Sequence, residues 1–149
     1  MIELFPPEKQ PLVRQIMANV LRGVISQRLI PRVDGGRVAA VEAMVNTARI
    51  AEMIRDSAKT DGITKAIEEG RVHDMQTFQQ HLVALVLDGT VDEDTAGTAA
   101  TNRHDFELAL GRAQRAQQAA AEATENGTDD EAGQLLRSTG AHNLRVSGS

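Results

Sequence analysis

The sequence predicts an α+β protein, mainly α, in which a short β-hairpin is followed by a bundle of short helices. Three observations carry this. Leu21 to Val45 is the one stretch that reads as sheet, with Val24, Ile25, Leu29 and Ile30 forming a β-favouring run that Pro31 cuts short. Asp34-Gly35-Gly36 offers the positive-φ residues of a tight turn, and Val38 to Val45 is long enough for a return strand. From Asn46 onward, apolar residues recur at helical spacing in short runs separated by Gly, Asp and Asn. The return strand is apolar on both faces, as suits a strand covered from two sides. A two-stranded ribbon is marginal by itself, so the helices before and after it must supply its cover.

Each element has a local reason. Phe5-Pro6-Pro7-Glu8 opens the first helix, because proline loses nothing at a first helical position and Glu8 suits the positive end of the helix dipole. Val13, Ile16, Met17, Val20 and Leu21 give that helix one apolar stripe, and Gly23 ends it or bends it into the strand. Asn46 and Thr47 are good N-caps for a helix with an Ile50, Met53, Ile54 stripe. Asp61-Gly62 breaks the chain, and Ile63, Ala66 and Ile67 mark a two-turn helix closed by Gly70. The clearest helix runs from about Met75 to Asp88, with Gly89 where a C-terminus wants left-handed backbone. Thr90-Val91-Asp92-Glu93 starts another short helix through Ala99, and Asn102 with Asp105 starts one bearing Phe106, Ala109, Leu110 and Ala113. Gln117 to Ala123 favours helix but has no large apolar side chain to fix it to a core. Asn126-Gly127 is expected to break that run, leaving a mobile tail to Ser149.

Composition narrows the function. The 149 residues suit one domain plus a tail, with 41% hydrophobic but only 2% aromatic residues, so the core must be Leu, Ile, Val, Met and Ala around Phe5, Phe78 and Phe106. Without cysteine the chain has no disulfide, thiolate zinc site or thiol nucleophile. No apolar run approaches the ~20 residues of a membrane helix, and the N-terminus lacks the pattern of a secretion signal. A cytoplasmic location is expected. The net charge of −5 hides an asymmetry, since residues 1–60 hold 9 Lys and Arg against 6 Asp and Glu, and the remainder 7 against 15. Arg14, Arg22, Arg28, Arg32 and Arg37 cluster around the hairpin. They make either a surface for phosphate or an acidic partner, or a solvated face. Nucleic acid is not expected, because no stacking aromatics or recognised helix motif accompany them.

No complete active site is legible. No Gly-rich loop ends in Gly-Lys-Ser or Gly-Lys-Thr, and Asp34-Gly35-Gly36-Arg37 lacks the lysine and helix start that would hold phosphates. His73, His81, His104 and His142 form no metal-binding pair. His73-Asp74 and His104-Asp105 are neighbours whose side chains do not face each other on a helix, so they read as capping or surface residues. Asp92-Glu93-Asp94 reads as an acidic first turn. No catalytic residue and no metal ligand is expected.

Several segments in a row carry a resemblance. Phe5-Pro6-Pro7-Glu8, Val24 through Arg32, Gly36-Arg37-Val38-Ala39-Ala40, Val45-Asn46-Thr47, Met75-Gln76-Thr77 and Ala100-Thr101-Asn102 with Asp105-Phe106-Glu107-Leu108 match in order and spacing. Residues 3 to 110 thereby resemble the C-terminal part of the twitching-motility (PilT-type) ATPases, the type IV pilus retraction motors of the hexameric secretion superfamily. The resemblance implies that residues 1–45 are the end of a RecA-like ATPase core, as a helix plus the last strands of its sheet. It makes 46–113 a helical C-terminal subdomain and leaves 114–149 as a flexible Ala, Gln and acidic tail. The family's phosphate-binding loop, acidic boxes and histidine box precede this region and do not occur here, so the chain is expected to be a fragment that is not catalytic alone. ATP and Mg would belong to the full-length protein, with none expected for this chain. A homohexamer and the inner-membrane pilus platform are the implied partners. Gln27 and Arg28 are the residues nearest to any nucleotide. The strands would normally pair with a sheet this chain lacks, which predicts an unpaired edge with exposed apolar surface.

The family's retraction motif, Ala-Ile-Arg-Asn-Leu-Ile, falls on Arg49, Ile50, Ala51, Glu52, Met53 and Ile54. Its apolar positions survive, whereas Ala51 and Glu52 replace its Arg and Asn. Arg49 lies about 200° around the helix from Ala51 and does not substitute for that Arg. The helix is either a motor-coupling element or an ordinary amphipathic helix packing its apolar stripe. The alternative to a motor fragment is a stand-alone, non-enzymatic interaction module that docks on pilus or secretion ATPase machinery.

Overall fold

The computed structural model describes residues 2–139, with side chains through residue 123. The order is α1 (Gln10–Val20), β1 (Gly23–Pro31), β2 (Arg37–Val45), α2 (Ala48–Arg55), α3 (Ile63–Glu68), α4 (Phe78–Leu87), α5 (Glu93–Ala99) and α6 (Arg103–Thr139). This is the expected hairpin followed by short helices. The chain divides into two units, Met1–Ala109 and Leu110–Ser149.

Pro7 heads a 3-10 turn, and Pro11 lies in the first turn of α1. Ala18 is buried on α1 with Met17 and Leu21 packed beside it. Ile16 and Val20, expected in the same buried stripe, are instead 50% and 66% exposed, together with Leu12 at 61%. A helix touching one neighbour needs only a narrow contact, and small Ala18 sets that contact by letting α1 approach α2 closely.

β1 and β2 pair antiparallel in register from Gly23↔Val45 to Pro31↔Arg37. Gly35 and Gly36 take positive φ at the turn, as their lack of a Cβ allows. Arg32 and Asp34 brace the turn through two 2.7 Å contacts. At the far end, a Cβ on Gly23 would stand 2.8 Å from the Met44 carbonyl oxygen, so the strands approach too closely there for any side chain.

The two outer edges of the hairpin differ. On β2, Ala43 exchanges both backbone hydrogen bonds with Gln76, at 2.9 and 3.1 Å. The Gln76 amide also donates to the Val41 carbonyl, and the Val41 N–H donates to His81 Nδ1 at 2.8 Å. That edge is closed. Among the described residues, no backbone hydrogen bond from elsewhere in the chain meets the opposite edge of β1, where Ile25 and Leu29 are 76% and 60% exposed. Within the described residues this matches the unpaired apolar edge expected from the resemblance.

The core has a cluster of Ala18, Ile50, Ala51, Ile54 and Ala66, with Met17, Leu21, Met44, Met53 and Ile63 packed against it. Leu82, Val91, Ala96 and Phe106 are also fully buried. Local caps fix where the helices start. Thr47 caps α2, Thr77 and Gln80 form a reciprocal capping box on α4, and Asp92 caps α5. The α4 helix thus begins at Phe78 rather than near Met75, because Gln76 is committed to β2 and Thr77 to the cap. Hydrogen bonds from the hydroxyl and N–H of Thr95 hold the Asp92 carboxyl below its ordinary 3.8. The ionised cap is fully formed above the ordinary carboxylate range and is lost only as pH falls through the depressed value. A carboxyl-NMR titration should place its midpoint below that of a free aspartate.

The expected break at Asn126-Gly127 does not occur, since α6 runs unbroken to Thr139. Each of Gly111, Gly127 and Gly133 costs a helix only ~1 kcal/mol, against which the Ala, Gln and Glu residues before Gly127 favour helix. The rest of the expected tail, and with it His142, lies outside the described residues.

Candidate functional site

The segment aligned with the retraction motif forms α2. Arg49 points outward and pairs with Glu69 at 2.9 Å. Glu52 is likewise exposed and holds Lys59, whose ammonium also reaches Asp56 at 3.8 Å. The Lys59 contact pulls the Glu52 carboxyl below its usual range, and Glu52 raises Lys59. Ile50 is 0% exposed, Ile54 6% and Ala51 8%, so the buried stripe is Ile50, Ala51 and Ile54, with Met53 at its margin. The position that carries the motif's Arg is a small residue inside the core. Packing therefore accounts for the apolar residues of α2, and its only charged groups at the surface are Arg49, Glu52 and Arg55, the last donating to Asn19 Oδ1 at 2.8 Å.

Beside the α2 N-terminus lies an open cavity of about 490 Å³ lined by Thr47, Arg49, Glu69, Gly70, His73 and Met75 among others. The Arg49–Glu69 pair occupies its rim, with Lys65 a further 4.0 Å from Glu69. The Thr47 hydroxyl is used as a cap, accepting from the Ile50 N–H at 3.3 Å. Among the described residues, no group of three His, Asp or Glu side chains could hold a metal ion.

Gln27 and Arg28, expected nearest to a nucleotide, are not brought together. Adjacent residues on a strand project from opposite faces. Arg28 lies over the Phe78 ring, 4.6 Å from its centroid, and donates to the Ala99 carbonyl at 3.2 Å. Gln27 lies on the other face, beside Ile25 and Leu29. The arginine cluster is likewise dispersed. Arg14 ties α1 to the Ile54 carbonyl and the Thr60 hydroxyl, and Arg32 pairs with Asp34. Three of the five guanidiniums thus hold this fold together, which favours internal bonding over a shared anion surface.

Three long-range roles were missed by the sequence reading. Asn46, expected as a cap for α2, instead donates through Nδ2 to the Ala18 and Leu21 carbonyls, at 3.0 and 2.8 Å, and so closes the C-terminal end of α1. Gln76 and His81 close the β2 edge. Only the Thr77-x-x-Gln80 capping pattern was available as a local signal of where Gln76 leaves the helix. His81→Ala should leave the Val41 N–H without a partner and cost about 1–3 kcal/mol in denaturant unfolding. Because His81 serves only as an acceptor in this contact, His81→Gln, which also offers an acceptor, should recover part of that loss.

Comparison with known proteins places this arrangement. No family model matches the chain. Over 105 residues, 70% of its length, the chain is 36% identical to the type IV pilus retraction ATPase PilT of Pseudomonas aeruginosa. Over 102 residues it is 32% identical to the twitching motility protein of Neisseria gonorrhoeae. The crystal structure of the pilus retraction motor PilT with bound ADP superposes with a TM-score of 0.60 and 30% identity, covering 72% of this chain and 29% of that one. The chain spans less than a third of the length of these relatives, 30% and 27% of the two sequences.

Proposed function

We propose that this chain, a homologue of the C-terminal portion of the PilT-type pilus retraction ATPases, serves as the C-terminal part of a type IV pilus retraction motor and is not catalytic alone. The observation that carries the reading is the agreement of sequence and structure on the same hairpin-and-helix arrangement. Residues 1–45 would close the end of a nucleotide-binding core, 46–113 would form the helical subdomain, and 114–149 would extend beyond it. ATP and Mg would be held by a phosphate-binding loop, a motif that this sequence does not contain. In the assembled motor the partners would be further copies in a hexamer and the inner-membrane pilus platform, reached from the cytoplasm. Among the described residues no helix is long and apolar enough to cross a membrane. The exposed charges of α2, Arg49 and Glu52, are the part of the motif segment available for coupling, whereas Gln27 would approach the nucleotide side and Arg28 would brace α4 and α5 behind it.

A chimera tests this. Residues 3–110 replacing the corresponding portion of Pseudomonas PilT should restore twitching to a strain lacking PilT. A chimera that assembles and hydrolyses ATP yet leaves the cells immobile argues against the retraction role. The purified chain alone should give no Mg-dependent ATP turnover, and hydrolysis that survives repurification overturns the non-catalytic reading.

A second reading has one observation in its favour. Met1–Ala109 forms a unit with its own buried core, as expected of a stand-alone module that docks on pilus or secretion ATPases. Co-sedimentation of the chain with an intact PilT-type hexamer would support docking over incorporation.

A further inference from the structure

We propose that His81 is a pH-sensitive latch between β2 and α4, sealed while its ring is neutral and released when the ring takes a proton. One contact makes the latch. The Val41 N–H, on the outer edge of β2, donates to His81 Nδ1 at 2.8 Å. An imidazole nitrogen accepts only through a free lone pair, so the contact requires the neutral ring with its proton on Nε2. A charged ring carries N–H on both nitrogens, and two N–H groups cannot bond each other. A proton and the Val41 N–H therefore compete for the same lone pair. The sealed state holds only the neutral ring, whereas the released state also holds the charged one. The seal thus strengthens as pH rises and weakens as it falls.

The neighbouring contacts confine the effect to this position. Ala43, two residues on, exchanges its backbone bonds with Gln76, and the Gln76 side-chain amide donates to the Val41 carbonyl at 3.2 Å. None of those groups titrates, so acid would free one N–H of the edge while Gln76 keeps its hold on β2. The charged ring has an alternative partner. Asp88, at the C-cap of α4 and two turns beyond His81 on the same side of the helix, lies within electrostatic reach of both His81 and Arg32. Of the other charged side chains on the elements packed against α4, Glu42 accepts from the Phe78 N–H, Arg28 lies over the Phe78 ring, and Asp94 is held by Arg103. Arg37 and Glu93 are the first residues of β2 and α5. On the reading proposed above, β2 would close the nucleotide-binding core and α4 would belong to the helical subdomain, so the latch would span the joint between them.

Amide hydrogen exchange of the full chain, followed by NMR at about pH 8 and about pH 5, tests the latch across the range in which histidines change charge. With each rate divided by its intrinsic value, protection of Val41 should fall about tenfold at the lower pH, as for the loss of one hydrogen bond, while that of Ala43 holds. At the higher pH the ring nitrogen shifts should report the Nε2–H tautomer. His81→Gln keeps an acceptor that takes up no proton in this range, and should leave Val41 equally protected at both pH values. Equal changes at Val41 and Ala43, an Nδ1–H tautomer at the higher pH, or a pH-dependent loss at Val41 that survives in folded His81→Gln overturns the proposal. If His81→Gln does not fold, the two measurements on the natural chain decide. None of these readouts depends on the chimera, so the latch and the motor role fail separately.

Discussion

Phe106→Ala is expected to be among the most destabilising single substitutions in the described chain. Phe106 is the largest fully buried side chain, at 0% exposure, in a protein with three phenylalanines and no tyrosine or tryptophan. Its N–H bonds the Asn102 carbonyl at 3.1 Å in the first turn of α6, so the backbone holds the ring in place and cannot follow it if it is removed. Truncation loses the transfer free energy of the ring and leaves a cavity, together about 3–5 kcal/mol. With a net stability of roughly 5–15 kcal/mol, that is a large share of the whole. Thermal unfolding followed by circular dichroism should shift down by on the order of 10–20 °C. Phe106→Leu, which keeps most of the volume, should recover much of it. A shift of only a degree or two for the alanine variant would mean that the ring does not carry this part of the core.

Ile50→Ala is the second, and it separates the two readings of α2. If the motif segment is chiefly a packing element, Ile50 should behave as a core residue. It is 0% exposed and belongs to the cluster with Ala18, Ala51, Ile54 and Ala66. Ile50→Ala should then cost about 2–5 kcal/mol, and Ile50→Val about 0.5–1.5. Glu52→Ala, on the exposed face of the same helix, should leave the unfolding midpoint within experimental scatter, because surface ion pairs contribute little. In the chimera the order should invert. Glu52 and Arg49 substitutions should alter twitching without altering stability if α2 couples to other parts of a motor. Stability effects of equal size at Ile50 and Glu52 would contradict the packing described for α2.

Some of the candidate site was legible beforehand for a definite reason. Ile50 and Ile54 were assigned to one stripe because positions four apart share a helix face whatever lies beyond it. Ala51 was not, because alanine carries no signal of which side it faces, and only the approach of α1 and α2 puts it inside. Gln27 and Arg28 were both named as the residues nearest a nucleotide, yet strand alternation sends them to opposite faces. The partners of Arg28, Phe78 and the Ala99 carbonyl, lie far along the chain. The α1 stripe was drawn too wide for a related reason. Periodicity identifies apolar residues but not how many of them a single neighbour can cover.

The sequence alone determined the hairpin, its glycine turn, the capped helices and the missing phosphate loop, because each of these follows from φ preferences, capping chemistry and residue identity within a few positions. Tertiary structure alone decided that Asn46 closes α1 and that Gln76 and His81 seal one edge of the hairpin. Those outcomes depend on which backbone groups find a partner tens of residues away, and local sequence carries no record of that pairing.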